Sequence, residues 1–166
     1  MSGEHTEFDA TVEAAVEETM ETIHAQSAEL RDTLAGLQGA LATPAAERGF
    51  EWAQQARDAL RGVREAFSDD AEITEAPGGL FQEVLARAPR LGGKVRSLRG
   101  QQAEVSSSID QETEVLSRLQ PDDPEERITE VSRSLLSLVS VLMRYRQSEA
   151  DLIYDAYHVD IGGEGA

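Results

Sequence analysis

The chain contains no cysteine. Disulfides, zinc–thiolate sites, iron–sulfur clusters and cysteine nucleophiles are therefore excluded at once. Positive charge is scarce as well. Lys and Arg number 15 against 32 Asp and Glu, for a net charge of −17, and Lys94 is the lone lysine. A surface of that sign repels phosphate backbones and anionic lipid. Neither a nucleic acid nor a membrane is expected as a partner; a protein or a small ligand is. Aromatic residues are 5% of the chain, and β-branched runs are few, which argues against a sheet. No apolar run approaches the length that crosses a bilayer: the densest, residues 135–143, is interrupted by Ser137 and Ser140. Residues 1–9 carry Glu4, Glu7 and Asp9 with no Lys or Arg, the wrong sign for a secretory leader. A cytoplasmic protein is the expectation. Self-repulsion at −17 predicts a melting temperature that rises with added salt up to about 1 M, where the screening length is only a few Å. A fall would show that ion pairs outweigh the repulsion.

What is present is helix-forming. Ala, Glu, Leu, Gln and Arg dominate, and apolar residues recur at steps of three and four in four long segments. The first, residues 8–42, carries Val12, Val16, Met20, Ile23, Leu30, Leu34, Leu37 and Leu41, and is stopped by Thr43-Pro44. The second starts near Ala45 with the stripe Phe50, Ala53, Leu60, Val63, Phe67. It ends either at Ser68-Asp69-Asp70 or by Glu75, before the break Ala76-Pro77-Gly78-Gly79. The third is a short helix at residues 80–87, a kink at Pro89, and a long helix to Leu119. After Gln120-Pro121-Asp122-Asp123-Pro124, with Pro124 at a first helical position, the fourth runs to about Tyr157. Short links make neighbours antiparallel. The predicted fold is all-α, an up-and-down four-helix bundle in a single domain over residues 1–159, with residues 160–166 as a flexible tail. It is expected as a monomer or homodimer.

Polar residues interrupt these stripes. Gln102 sits between Leu98 and Val105, and Tyr145 and Glu149 between Leu142 and Leu152. Burying a polar group without a partner costs a few kcal/mol, so such positions either fix helix register or form a site. His24 flanks the first stripe. Counting residues from the helix ends places His24, Gln102, Tyr145 and Glu149 near one level, where they would surround a polar pocket. The basic residues Arg87, Arg90, Lys94, Arg96 and Arg99 read as a solvated helix face paired with surrounding carboxylates, and as the one stretch suited to an acidic ligand.

Three stretches carry a family likeness. The sequence GGLFQEVLARAPRL (residues 78–91), the segment EADLIYDAY with its tail (residues 149–163), and TIHAQSAEL (residues 22–30) resemble bacterial hemerythrin-like, or HHE cation-binding, domains. The resemblance implies a four-helix bundle around a non-haem diiron centre with His and carboxylate ligands. Its metal positions fall on His24, Glu75 and Glu149. Where such domains place further histidines this chain has Ala71, Gln102 and Tyr145. The resemblance thus implies a hemerythrin-like bundle whose metal site is largely lost, non-catalytic and without cofactor, acting as a binding or structural module. Two alternatives stand beside it: a variant non-haem iron bundle for oxygen or redox sensing, using His24, Glu75, Glu149 and Tyr145, and a helical adaptor unrelated to hemerythrins. No phosphate loop, catalytic triad or His-Glu-x-x-His pattern is present.

Overall fold

The structure, a computed structural model, describes residues 3–43 and 49–158. Five α-helices account for nearly all of them: α1 (Gly3–Leu41), α2 (Phe50–Glu75), α3 (Leu80–Arg87), α4 (Gly92–Ser117) and α5 (Glu125–Tyr157). The four long ones, α1, α2, α4 and α5, form the bundle, and no strand occurs among the described residues. None of the helices is long and apolar enough to cross a membrane.

Side-chain pairings fix the directions. On α2 and α4, Arg64 meets Asp110 while Glu75 meets Arg99, so the two run antiparallel. On α4 and α5, Glu112 pairs with Ser134 and Lys94 with Asp155, again antiparallel. On α1 and α2, Ala40 accepts from Trp52, and Gly62 faces Thr33. Contacts between α1 and α5 close the ring. The buried apolar residues of all these helices form one core cluster.

Local chemistry explains the joints. Burial on α2 follows Leu60, Val63, Phe67, Asp70 and Thr74, so the helix passes through Ser68-Asp69-Asp70 rather than stopping there. It begins at Phe50, five residues later than the expected Ala45; the break expected at Pro44 lies outside the described residues, as do the tail at residues 160–166 and the side chains of Val12 and Val16. Pro89 acts as predicted. It opens a single 3₁₀ turn, Pro89–Leu91, between α3 and α4. Pro124 stands one place before its expected position, as the extended residue that caps α5.

The α2–α3 joint depends on two glycines. Gly78 has φ of +75°, in the left-handed region that favours glycine. Gly79 is a different case, since its backbone is ordinary but its surroundings are full: an added Cβ would collide with the Ile73 carbonyl oxygen and lie 2.8 Å from that of Ala76. Both acceptors are backbone and cannot swing away. Gly79→Ala is therefore expected to destabilise the bundle by about 2 kcal/mol, in the range for overpacked sites, as a lowered urea midpoint would record.

Candidate functional site

Five polar side chains are buried in the described part of the bundle: Asp70, Thr74, Gln102, Ser132 and Glu149. Three of these, Asp70, Gln102 and Glu149, contact the hydroxyl of Tyr145, itself wholly buried, and Thr74 joins them through Gln102. Helix periodicity puts them there. Asp70 and Thr74 are one turn apart on the inner stripe of α2. Tyr145 and Glu149 are one turn apart on that of α5, and Gln102 faces both from α4.

The hydroxyl is approached from three sides. Asp70 Oδ2 lies 2.8 Å away, Glu149 Oε2 3.0 Å away and Gln102 Nε2 3.0 Å away. Gln102 Nε2 is also 3.3 Å from Thr74 Oγ1, whose own hydroxyl donates to the Asp70 carbonyl oxygen. That last bond sets the orientation of the amide. Thr74 Oγ1, having given its hydrogen to a backbone carbonyl, can only accept from Gln102, so the amide nitrogen must face inward. The Phe67 ring closes the site edge-on to Tyr145, with centroids 5.2 Å apart.

Counting hydrogens assigns the charge. A phenol carries one hydrogen and two lone pairs. Tyr145 gives its hydrogen to Asp70 and accepts from Gln102. Its contact with Glu149 then needs a hydrogen on Glu149. Electrostatics agrees: burial first, then the neighbouring Asp70, push the Glu149 carboxyl up to about 9, partly opposed by the Arg146 charge. Tyr145 is likewise held far above the usual phenol range, by burial first and then by the charges of Glu149 and Asp70. At neutral pH the cluster thus keeps Tyr145 and Glu149 protonated. It is a closed network in which each hydrogen has an acceptor.

The residues expected to share this pocket divide. Gln102, Tyr145 and Glu149 meet as their spacing implied. His24 does not join them; it is exposed on α1, one residue away from the buried Ile23. Glu75 is exposed at the end of α2 and forms a two-pronged ion pair with Arg99, at 2.7 and 3.3 Å. Of the three positions the resemblance assigns to metal, Glu149 alone lies in the buried cluster. Among the described residues no group of three or more His, Asp or Glu is placed to hold a metal ion. Asp70 and Thr74 are the members that reading the sequence missed. Carrying the three-and-four stepping of α2 past Phe67 would have found both.

The basic stretch is largely engaged. Lys94 pairs with Asp155, Arg90 donates to the Asp155 carbonyl oxygen, Arg87 stacks over Tyr157 and Arg99 over Phe81. Comparison with protein-family models, with curated proteins and with solved structures finds no match to this chain.

Proposed function

We propose that this chain is a non-catalytic, hemerythrin-like helical module, serving in binding or structure, in which a hydrogen-bonded cluster stands where related domains would hold iron. The observation that carries this reading is the Tyr145 hydroxyl, bound on three sides by Asp70, Gln102 and Glu149. A diiron centre draws on about five or more nitrogen and oxygen ligands, neutral imidazole prominent among them. The donor set here does not fit that group. Its two carboxyls and one phenol are turned on one another, the amide presents nitrogen, and among the described residues no imidazole joins them. A proton sits between groups that a metal would need deprotonated. With that proton fixed, the cluster's role is to align α2, α4 and α5 in one register, as buried polar groups do in other helical assemblies. The exposed surface is left to bind.

One feature favours the iron-binding alternative: two carboxyl oxygens, from Asp70 and Glu149, lie within 3.0 Å of the Tyr145 phenol oxygen, so three oxygen atoms are gathered in one buried place. Metal analysis of protein from iron-supplemented cells separates the two readings. The expected result is iron far below one atom per chain and no oxo-bridge absorption. Two iron atoms per chain with that band would overturn the proposal.

A further inference from the structure

Between α2 and α4 runs a half-open cleft of about 440 Å³. It exists because the two helices face each other with small side chains, Ser68 and Ala71 on one wall and Ala103 and Ser106 on the other. Its floor includes the buried Phe67 ring and Gln102. Gln102 is the polar member of the buried cluster that also lines this cleft. Both hydrogens of its amide are spent inward, on Thr74 and Tyr145. The carbonyl oxygen of the same amide is the acceptor left over, held in place by those two bonds.

Charge at the cleft is balanced on a chain of net charge −17. Its lining includes Arg64, paired with Asp110, and Arg99, paired with Glu75 beside the cleft. Arg99 stands one helical turn from Gln102 and also lines the cleft, with its guanidinium over the Phe81 ring and against Glu75. The ion pairs of Arg64 with Asp110 and Arg99 with Glu75 are exposed. Both pairs are open to solvent, so a ligand carboxylate that displaces Glu75 at Arg99 restores a pairing of the same kind.

We propose that this cleft binds a small monoanionic aromatic carboxylate that carries a hydroxyl or N–H donor. The carboxylate pairs with Arg99, the ring lies on Phe67 between Ala71 and Ala103, and the donor bonds to the Gln102 carbonyl oxygen. The volume is that of a small-molecule site. The inference rests on reading the chain as a binding module, and names the class of ligand and the place.

The probes are 4-hydroxybenzoate, benzoate, which lacks the donor, and 4-hydroxybenzamide, which lacks the charge. Amide chemical shifts of the full chain are followed during titration with each. Saturable shifts centred on Ser68, Ala71, Ala103 and Ser106 are expected with 4-hydroxybenzoate. Binding should be roughly tenfold weaker with benzoate, the equivalent of one hydrogen bond, and weaker again with the benzamide. Ala71→Leu fills the cleft from its α2 wall and should abolish the shifts; Arg99→Gln should remove the preference for the anion. No saturation with the wild-type chain at millimolar probe overturns the proposal, as do shifts centred elsewhere or equal binding of all three probes. Iron content in the same preparation is a separate readout, so a failed cleft and a failed reading of the module are told apart.

Discussion

Raising the pH from about 5 to about 9 is expected to destabilise the bundle, with Glu149 alone contributing up to about 1.4 kcal/mol per pH unit, the limit for one proton. In the unfolded chain this carboxyl has its ordinary value of 4.5; in the fold burial and the Asp70 charge raise it to about 9. Between those values the folded state holds a proton that the unfolded state has released. Stability changes with pH in proportion to protons bound unfolded minus protons bound folded. That difference is negative here, so stability falls throughout the window. Below about 4.5 both states are protonated and the slope vanishes; above about 9 both are ionised and it vanishes again. Ionisation of the many surface carboxylates acts in the same direction, through mutual repulsion. The variant Glu149→Gln separates the two effects. Its amide donates where the neutral carboxyl did and has nothing to ionise. Urea unfolding at several pH values in about 1 M salt, which screens the surface and not the core, should show the wild-type chain losing stability relative to the variant as pH rises. The two should converge near pH 5. Parallel profiles across the whole range would mean that Glu149 is not held neutral in the fold.

The elements that were legible in the sequence are those specified locally. Pro77-Gly78-Gly79, Pro89 and Pro121 interrupt helices because a ring without an N–H, or a residue without a side chain, acts within a turn of itself. Each break appears where it was expected. Gln102, Tyr145 and Glu149 were legible for a related reason. An apolar stripe with polar members records which side chains point inward even before their partners are known. Asp70 and Thr74 were obscured by their neighbours. Ser68, Asp69 and Asp70 in succession resemble a helix stop, since their side chains compete for backbone hydrogen bonds. In the fold the packing of Phe67 and the bonds of Thr74 carry α2 through them. His24 misled in the opposite way. It stands about 100° around the helix from Ile23, enough to turn an imidazole from the core to the solvent, and its appeal as a ligand came from its chemistry rather than its place. No pattern in a single chain specifies that Glu75 would meet Arg99; that contact depends on the register of α2 against α4.

On the proposed reading the cluster secures that register, and Tyr145→Phe tests it. The substitution keeps the ring, its volume and its edge-on contact with Phe67, and deletes one oxygen. Were the hydroxyl merely tolerated, its loss from an apolar core would be neutral or stabilising. In this arrangement it leaves three groups without their common partner: the Asp70 carboxylate loses a donor, and Gln102 and Glu149 each lose an acceptor. A buried group deprived of its partner costs about 1–3 kcal/mol, more when charged. Partial rearrangement between Asp70 and Glu149, which already interact, recovers some of that. The expected loss is roughly 3 kcal/mol, a fall in melting temperature of roughly 6–12 °C for a chain of this size. Gln102→Leu supplies the control through a double-mutant cycle. Gln102 and Tyr145 share one hydrogen bond, so the double variant should be more stable than the sum of the two single losses predicts, by roughly 1 kcal/mol or more. Strict additivity would mean that the two side chains do not act together. A Tyr145→Phe variant that melts at or above the wild-type temperature would show that the hydroxyl holds nothing in place, and the cluster would lose its standing as the element that sets the helices in register.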